Sequence, residues 1–203
     1  MRETENIRAV EENVRPNMMG FIFWEGSKRC VTSVPTYLPQ CTRVGVFVNP
    51  TEELVLQKIT DFGLNAIQLH GEESPDFCRR IKEITNLTII KAISIDQTNS
   101  SLFTLRSSLY EGISDYFIFD TKCKNIGGSG EQFKWDILQF YKGNIPFLLA
   151  GGIGPGDEEK IRQWHHPKWA GIDLNSKFEL APAYKDTNAL ADFIKKIKSQ
   201  PQE

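Results

Sequence analysis

The sequence predicts an α/β protein: a (β/α)₈ TIM barrel whose first β-strand is missing from this chain. Three observations carry that prediction. Short apolar runs alternate with amphipathic segments of helical spacing, the pattern of βαβ units on a parallel sheet. Polar residues recur at the C-terminal ends of successive runs, as a site built from βα loops requires, where a doubly wound sheet gathers them at one crevice. The length, 203 residues with short connections, fits the compact end of barrels of ~200–250 residues.

Taken in order, the chain opens on a helix-like segment at 3–13, and strand candidates follow at 18–24, 43–48, 66–70, 88–93, 115–120, 146–150 and 169–174. These runs are continuously apolar, as strands covered on both faces must be. Segment 51–62 sets Leu54, Val55, Ile59 and Phe62 on one face behind a Thr51 cap, with Glu53 close by. Segment 74–84 repeats the pattern with Pro75 at the first helical position. Further helices are expected at 100–110, 134–141, 156–164 and 186–198. Seven strands leave a barrel one short, and the deficit lies at the start, where no apolar strand precedes the first helix. Such a sheet would carry two unpaired edges. One barrel domain over 1–203 is expected.

Composition narrows the functional classes. The 24 basic and 26 acidic residues give a net charge of −2 without a basic run, which argues against nucleic acid as a partner. There is no continuous apolar stretch of the ~18 residues a membrane span needs, and the polar start lacks a signal peptide's apolar core, so a cytoplasmic protein is expected. Cys30, Cys41, Cys78 and Cys123 lie far apart with no C-x-x-C spacing, which reads as ordinary thiols without a zinc site or disulfides.

The most informative stretch is Pro146-Phe147-Leu148-Leu149-Ala150-Gly151-Gly152-Ile153-Gly154-Pro155-Gly156-Asp157. A strand running into paired glycines and then a helix lets backbone N–H groups approach an anion closely, with the helix start adding its own donors. An ordinary strand-to-helix turn is the alternative. A second glycine element, Gly127-Gly128-Ser129-Gly130, comes after another strand and favours the phosphate cradle. Asp173-Leu174-Asn175-Ser176, at the next strand end, offers N–H and hydroxyl donors or simply caps the next short segment.

Asp120 ends Tyr116-Phe117-Ile118-Phe119-Asp120-Thr121, and apolar neighbours at a barrel mouth would raise its pKa toward that of a general acid. Capping or ion pairing is its other reading, and the better one for Asp115. Arg29, in the loop after strand 18–24, can hold a carboxylate through two parallel hydrogen bonds or lie on the surface. His70 closes Ile67-Gln68-Leu69-His70-Gly71 as a site donor or a structural histidine. His165 and His166 read as surface residues, and the four tryptophans as packing. Asn49 and Lys91 are further polar residues at strand ends.

The ordered motifs identify a family. Met19-Gly20-Phe21-Ile22-Phe23, Ser27-Lys28-Arg29, Val44-Gly45-Val46-Phe47-Val48-Asn49, Ile67-Gln68-Leu69-His70-Gly71, Phe119-Asp120-Thr121, Gly127-Gly128-Ser129-Gly130 with Phe133 and Trp135, Leu149-Ala150-Gly151-Gly152 and Gly171-Ile172-Asp173-Leu174-Asn175-Ser176 together resemble phosphoribosylanthranilate isomerase across essentially the whole chain. The resemblance implies a (β/α)₈ barrel that needs no metal or organic cofactor. It implies an Amadori rearrangement of N-(5-phosphoribosyl)anthranilate to 1-(2-carboxyphenylamino)-1-deoxyribulose 5-phosphate in tryptophan biosynthesis. Asp120 would be the general acid and Arg29 the carboxylate holder, with His70 and Asp173 also at the substrate. Gly128, Gly151, Gly152, Asn175 and Ser176 would hold the phosphate.

In the family the general base is a cysteine in a Lys-x-Cys-Gly motif ending the first strand, and Met1-Arg2-Glu3-Thr4-Glu5-Asn6-Ile7 matches the continuation after it. No cysteine here matches that motif, so the expectation is a chain beginning just beyond its base, with impaired activity. Lys28 and Cys30 replace the commoner Pro and Tyr of the arginine loop, and Lys177 stands where glycine is frequent. The expected partner is a small phosphorylated substrate, with no nucleic acid or membrane, acting on a monomer or homodimer. Two other readings stand: a truncated or inactive barrel that binds the phosphorylated ligand, and another sugar-phosphate isomerase or epimerase, for which Arg29 would be unnecessary.

Overall fold

A computed structural model describes residues 1–95, 100–121 and 135–199. Seven parallel strands form one sheet in strictly consecutive order: β1 (Met18–Ile22), β2 (Thr42–Phe47), β3 (Ala66–Leu69), β4 (Thr88–Ile95), β5 (Tyr116–Thr121), β6 (Phe147–Leu149) and β7 (Trp169–Ile172). Consecutive order decides between the two architectures. A doubly wound sheet reverses its strand order at a switch point, whereas a barrel winds in one direction throughout. The order ends at β1 on one side and β7 on the other. The Met1 backbone nitrogen donates to the Gly20 carbonyl at 2.8 Å, against the outer edge of β1.

The helices form where the sequence places them, each for a local reason. Helix α1 (Thr4–Val14) buries Ile7 and Val10 and stops at Arg15, which takes a left-handed φ of 53°. Helix α2 (Glu52–Phe62) starts under the Thr51 hydroxyl, which accepts from the Leu54 N–H at 3.2 Å, and ends at Gly63. Helix α3 (Pro75–Thr85) starts likewise, with Ser74 accepting from Phe77 N–H at 3.2 Å. Helices α4 (Ser100–Ser108), α5 (Glu158–Gln163) and α6 (Thr187–Lys198) come next, and α6 packs against α1 so that the helical layer is continuous between the sheet's two edges.

Two elements differ from expectation. Segment 134–141 is a 3₁₀ helix over Trp135–Phe140 where an α-helix was expected. The short hairpin of β8 (Glu179–Ala181) and β9 (Tyr184–Lys185), preceded by a 3₁₀ turn at Ser176–Phe178, was not foreseen. Strands of three and two residues are too short to show a period of two.

Alternation along each strand sorts the core into two layers. Phe47, Phe117, Phe119, Phe147 and Leu149 face the helices, and Val44, Ala66, Ile90, Ile118 and Ala150 form an inner cluster. Each fully buried phenylalanine contributes on the order of 1.5–3 kcal/mol. Strand β7 holds this parity only through an irregularity: Trp169 pairs with Phe147 and Gly171 with Leu148, leaving Ala170 as an extra residue. Trp169 therefore packs edge-on against Trp164 on the helix side (5.3 Å between centroids), and Asp173 falls on the inner side.

Candidate active site

Inner-facing parity places the strand-end polar residues together at the barrel mouth. On β3, Gln68 and His70 are two residues apart and share a face. The Gln68 amide lies 2.7 Å from His70 Nδ1. An amide NH₂ only donates, so Nδ1 accepts and the imidazole proton is assigned to Nε2. That proton points to Asp120 Oδ2, at 3.3 Å. The expected apolar surroundings of the Asp120 carboxyl are corrected here, because Phe117 and Phe119 alternate away to the helix layer and His70 faces the carboxyl instead.

Asp173 completes the group. Its backbone N–H donates to the Leu149 carbonyl at 2.8 Å, anchoring it beside the end of β6. Burial pushes its pKa up, opposed chiefly by the nearby Lys185 charge and reinforced by Asp120. Some of its surface remains open, as suits a carboxyl deep in a mouth rather than in a sealed core. Two carboxyls and an imidazole within electrostatic reach are an arrangement for moving protons.

Arg29 sits in a loop folded back by backbone bonds from Ser27 N–H to the Trp24 carbonyl and from Val31 N–H to the Ile22 carbonyl. Its Nε donates to both Glu179 oxygens, at 3.0 and 2.8 Å, and Nη2 reaches Oε2 at 2.6 Å. Glu179, with only 5 % of its side chain exposed, also accepts from Lys185 Nζ at 3.1 Å. Burial opposes its ionisation, but the hydrogen bonds from Arg29 and Lys185 outweigh that and hold the carboxyl below its usual range. Lys185, also buried, donates to the Asn175 carbonyl at 3.0 Å and its Oδ1 at 2.6 Å.

In the loop after β6, Gly151 and Gly152 both take positive φ, 87° and 68°. Two successive residues of that kind call for glycine. A Cβ on Gly154 would lie 3.0 Å from Lys177 Cβ, so the loop after β6 rests directly on the turn after β7 that contains Asn175 and Ser176. The Asp157 carboxylate fixes this loop by accepting from Gly154 N–H at 2.8 Å.

Other expectations resolve differently. Gly128, with Gly127, Ser129, Gly130, Phe133 and Cys123, lies outside the described residues. Lys91 is structural: its ammonium donates to Leu69 O (3.1 Å), Gly71 O (2.7 Å) and Glu73 Oε2 (2.9 Å) on the helix side of the sheet. Asn49 clamps the loop after β3, its Oδ1 accepting from Glu72 N–H at 2.8 Å. Asp115 pairs with Lys82 at 2.7 Å, as expected. His165 is exposed, but His166 is half-buried and stacked on Trp164, and burial lowers its pKa. Sequence reasoning missed Gln68, Glu179 and Lys185. Only Gln68, two residues before His70, carried a spacing signal.

The family model for N-(5'-phosphoribosyl)anthranilate (PRA) isomerase matches residues 2–196. An N-(5'-phosphoribosyl)anthranilate isomerase of Phocaeicola vulgatus is 51% identical over 204 residues, covering 100% of this chain and 97% of the relative. A crystal structure of monomers made from the dimeric phosphoribosylanthranilate isomerase of Thermotoga maritima superposes with a TM-score of 0.77 at 28% identity, covering 97% of each chain. A phosphoribosylanthranilate isomerase solved in complex with reduced 1-(o-carboxyphenylamino)-1-deoxyribulose 5-phosphate matches with the same TM-score, 0.77, and 28% identity over 97% of each chain.

Proposed function

The chain belongs to the N-(5'-phosphoribosyl)anthranilate isomerase family, and on that premise we propose how its barrel mouth performs the rearrangement. It is an isomerase of tryptophan biosynthesis that converts N-(5-phosphoribosyl)anthranilate to 1-(2-carboxyphenylamino)-1-deoxyribulose 5-phosphate. The observation that carries the assignment of roles is the His70–Asp120 pair (3.3 Å), at the same end of the parallel sheet as Arg29, Asp173 and the glycine pair.

The substrate carries a carboxylate on its ring and a phosphate on its sugar. Arg29 takes the carboxylate. Gly151, Gly152, Asn175 and Ser176 take the phosphate through backbone and hydroxyl donors, with Gly128 the remaining donor expected from the sequence. Holding both ends fixes the ribose between them, and positioning of this kind supplies as much as ~7–11 kcal/mol in the best intramolecular cases. Asp120 protonates the ring oxygen, the ring opens to an iminium, and His70 hydrogen-bonds Asp120 and orients it. A general base must then take the C2 proton to give the enol, which regains a proton at C1 and becomes the ketone; the resemblance implies a cysteine for that base, and no described residue of this chain is assigned to it. Asp173 faces the sugar hydroxyls.

The described cysteines do not suit the base. Burial pushes Cys30, Cys41 and Cys78 above the ordinary thiol range, Cys78 to about 11, which disfavours a thiolate in each. The steps are proton transfers and call for neither metal nor organic cofactor. We place the protein in the cytoplasm as one barrel domain, monomeric or homodimeric; among the described residues no helix is long and apolar enough to cross a membrane.

The test monitors the loss of substrate fluorescence. Replacing Asp120 with Asn should lower kcat by about 10²–10⁴-fold relative to the unsubstituted protein, with KM little changed. An Asp120→Asn protein with unaltered kcat would remove the acid from this position. Arg29→Ala should instead raise KM, and an unchanged KM would favour a sugar phosphate without a ring carboxylate.

A further inference from the structure

Glu179 and Lys185 lie between the two grips of the site, and neither is free to bind a ligand itself. The three protons of the Lys185 ammonium have three acceptors: Asn175 O at 3.0 Å, Asn175 Oδ1 at 2.6 Å and Glu179 Oε1 at 3.1 Å. Glu179 in turn faces one edge of the Arg29 guanidinium, the Nε–Nη2 edge. A guanidinium is a planar fork with a second bidentate edge, Nη1–Nη2, and that edge is left for another carboxylate. The same Glu179 oxygen that meets Lys185 accepts from the Ala183 N–H at 3.2 Å, which fixes the carboxylate on its own hairpin.

The backbone of Lys185 is anchored just as firmly. The Asn6 side chain donates to the Lys185 carbonyl at 2.8 Å and accepts from its N–H at 2.7 Å, tying the hairpin to α1. The side chains of Lys185 and Glu179 are 8 % and 5 % exposed. Two positive groups and one negative group make up the trio, with the Asp173 carboxyl close to Lys185.

Resting on the functional reading above, we propose that Glu179 and Lys185 are positioning residues that couple the carboxylate grip to the phosphate grip. Glu179 sets the angle at which Arg29 presents its second edge. Lys185 holds Glu179 and the Asn175 turn with one ammonium, so the distance between the grips is fixed by the chain Arg29–Glu179–Lys185–Asn175. A ligand with anions at both ends matches that distance, and a ligand with one anion uses half of the device.

The variants separate the two roles. Glu179→Gln places an amide N–H against the Arg29 donors and releases the guanidinium, without touching the Asn175 contacts. Lys185→Met loosens both grips. Calorimetric titration with the reduced carboxyphenylamino-deoxyribulose phosphate, and separately with inorganic phosphate, reads them. Glu179→Gln should weaken the reduced analogue about tenfold or more, the loss of one charge-assisted contact, and leave phosphate within about twofold. Lys185→Met should weaken both ligands. If a variant melts below the assay temperature, Glu179→Asp and Lys185→Arg take its place, since each keeps the charge and moves its position, and the same split is expected.

Analogue affinity equal to that of the unsubstituted protein in Glu179→Gln would overturn the proposal. So would parallel losses for both ligands in Glu179→Gln, which mark a purely structural role. An unsubstituted protein that binds phosphate but not the analogue would overturn the functional reading itself, and the proposal with it.

Discussion

At the scale of single residues, direction decides role. In the sequence Asp120 and Lys91 look alike, both expected at strand ends, but β4 runs on to Ile95 and leaves Lys91 in mid-strand. Parity separates them: Asp120 lies two residues beyond Ile118 on the inner side, whereas Lys91 lies between the inner Ile90 and Ala92 and turns out toward the helices. The sequence therefore showed the position of Asp120 and Arg29 but not their partners, because His70, Glu179 and Lys185 meet them from residues 50, 150 and, through Glu179, 156 positions away. Lys91 and Glu73 form a pair in which each side chain is 2 % exposed. Lys91→Met leaves the Glu73 carboxylate buried without its cation, and urea denaturation should show a loss of about 3–5 kcal/mol. A loss below about 1 kcal/mol would mean that the Asn49 and Gly71 N–H groups, at 2.8 and 3.0 Å, suffice to hold the anion.

At the scale of elements, caps and glycines were the legible signals. Thr51, Ser74 and Asp186 start helices as their side-chain chemistry dictates, and Gly63 ends one. The glycine pair after β6 was legible as a turn, but its positive φ values were not. Gly151→Ala should cost about 1–2 kcal/mol of stability and weaken phosphate binding, both measurable by melting with and without inorganic phosphate. An alanine variant with full phosphate stabilisation would show that the loop only turns the chain.

The hairpin after β7 was invisible for a physical reason: what orders it is not apolar periodicity but the charges of Arg29, Glu179 and Lys185. Its stability should depend on pH accordingly. The Glu179 pKa is lowered by folding, so its contribution is present above the ordinary carboxylate range and is lost as pH falls through the depressed value. Acid unfolding of the unsubstituted protein should steepen below about pH 4.5, the ordinary glutamate range. The Glu179→Gln variant should lose part of that slope; identical slopes would exclude the carboxylate as a contributor.

At the scale of the molecule, consecutive winding accounts for the site. Each βα loop reaches the same rim only because the seven strands run parallel in sequence order; the end of β5 supplies Asp120, and the loops after β1, β3, β6 and β7 supply Arg29, His70, the glycine pair and Asp173 with Asn175. Alternation made the parallel sheet legible, and the spread of polar residues over successive strand ends, with the chain length, favoured the barrel winding. Closure of the helical layer through α1 against α6, and the Asn6 clamp on Lys185, were not legible, since they join residues 179 positions apart.

The measurement closest to the central claim is a crystal structure of this protein with the reduced carboxyphenylamino-deoxyribulose phosphate. The phosphate is expected at Gly151, Gly152 and the Asn175-Ser176 turn, the ring carboxylate on the outer edge of Arg29, and the sugar within hydrogen-bond reach of Asp120. A ligand lying in the reverse sense, or a phosphate seated away from the glycine pair, would contradict the account.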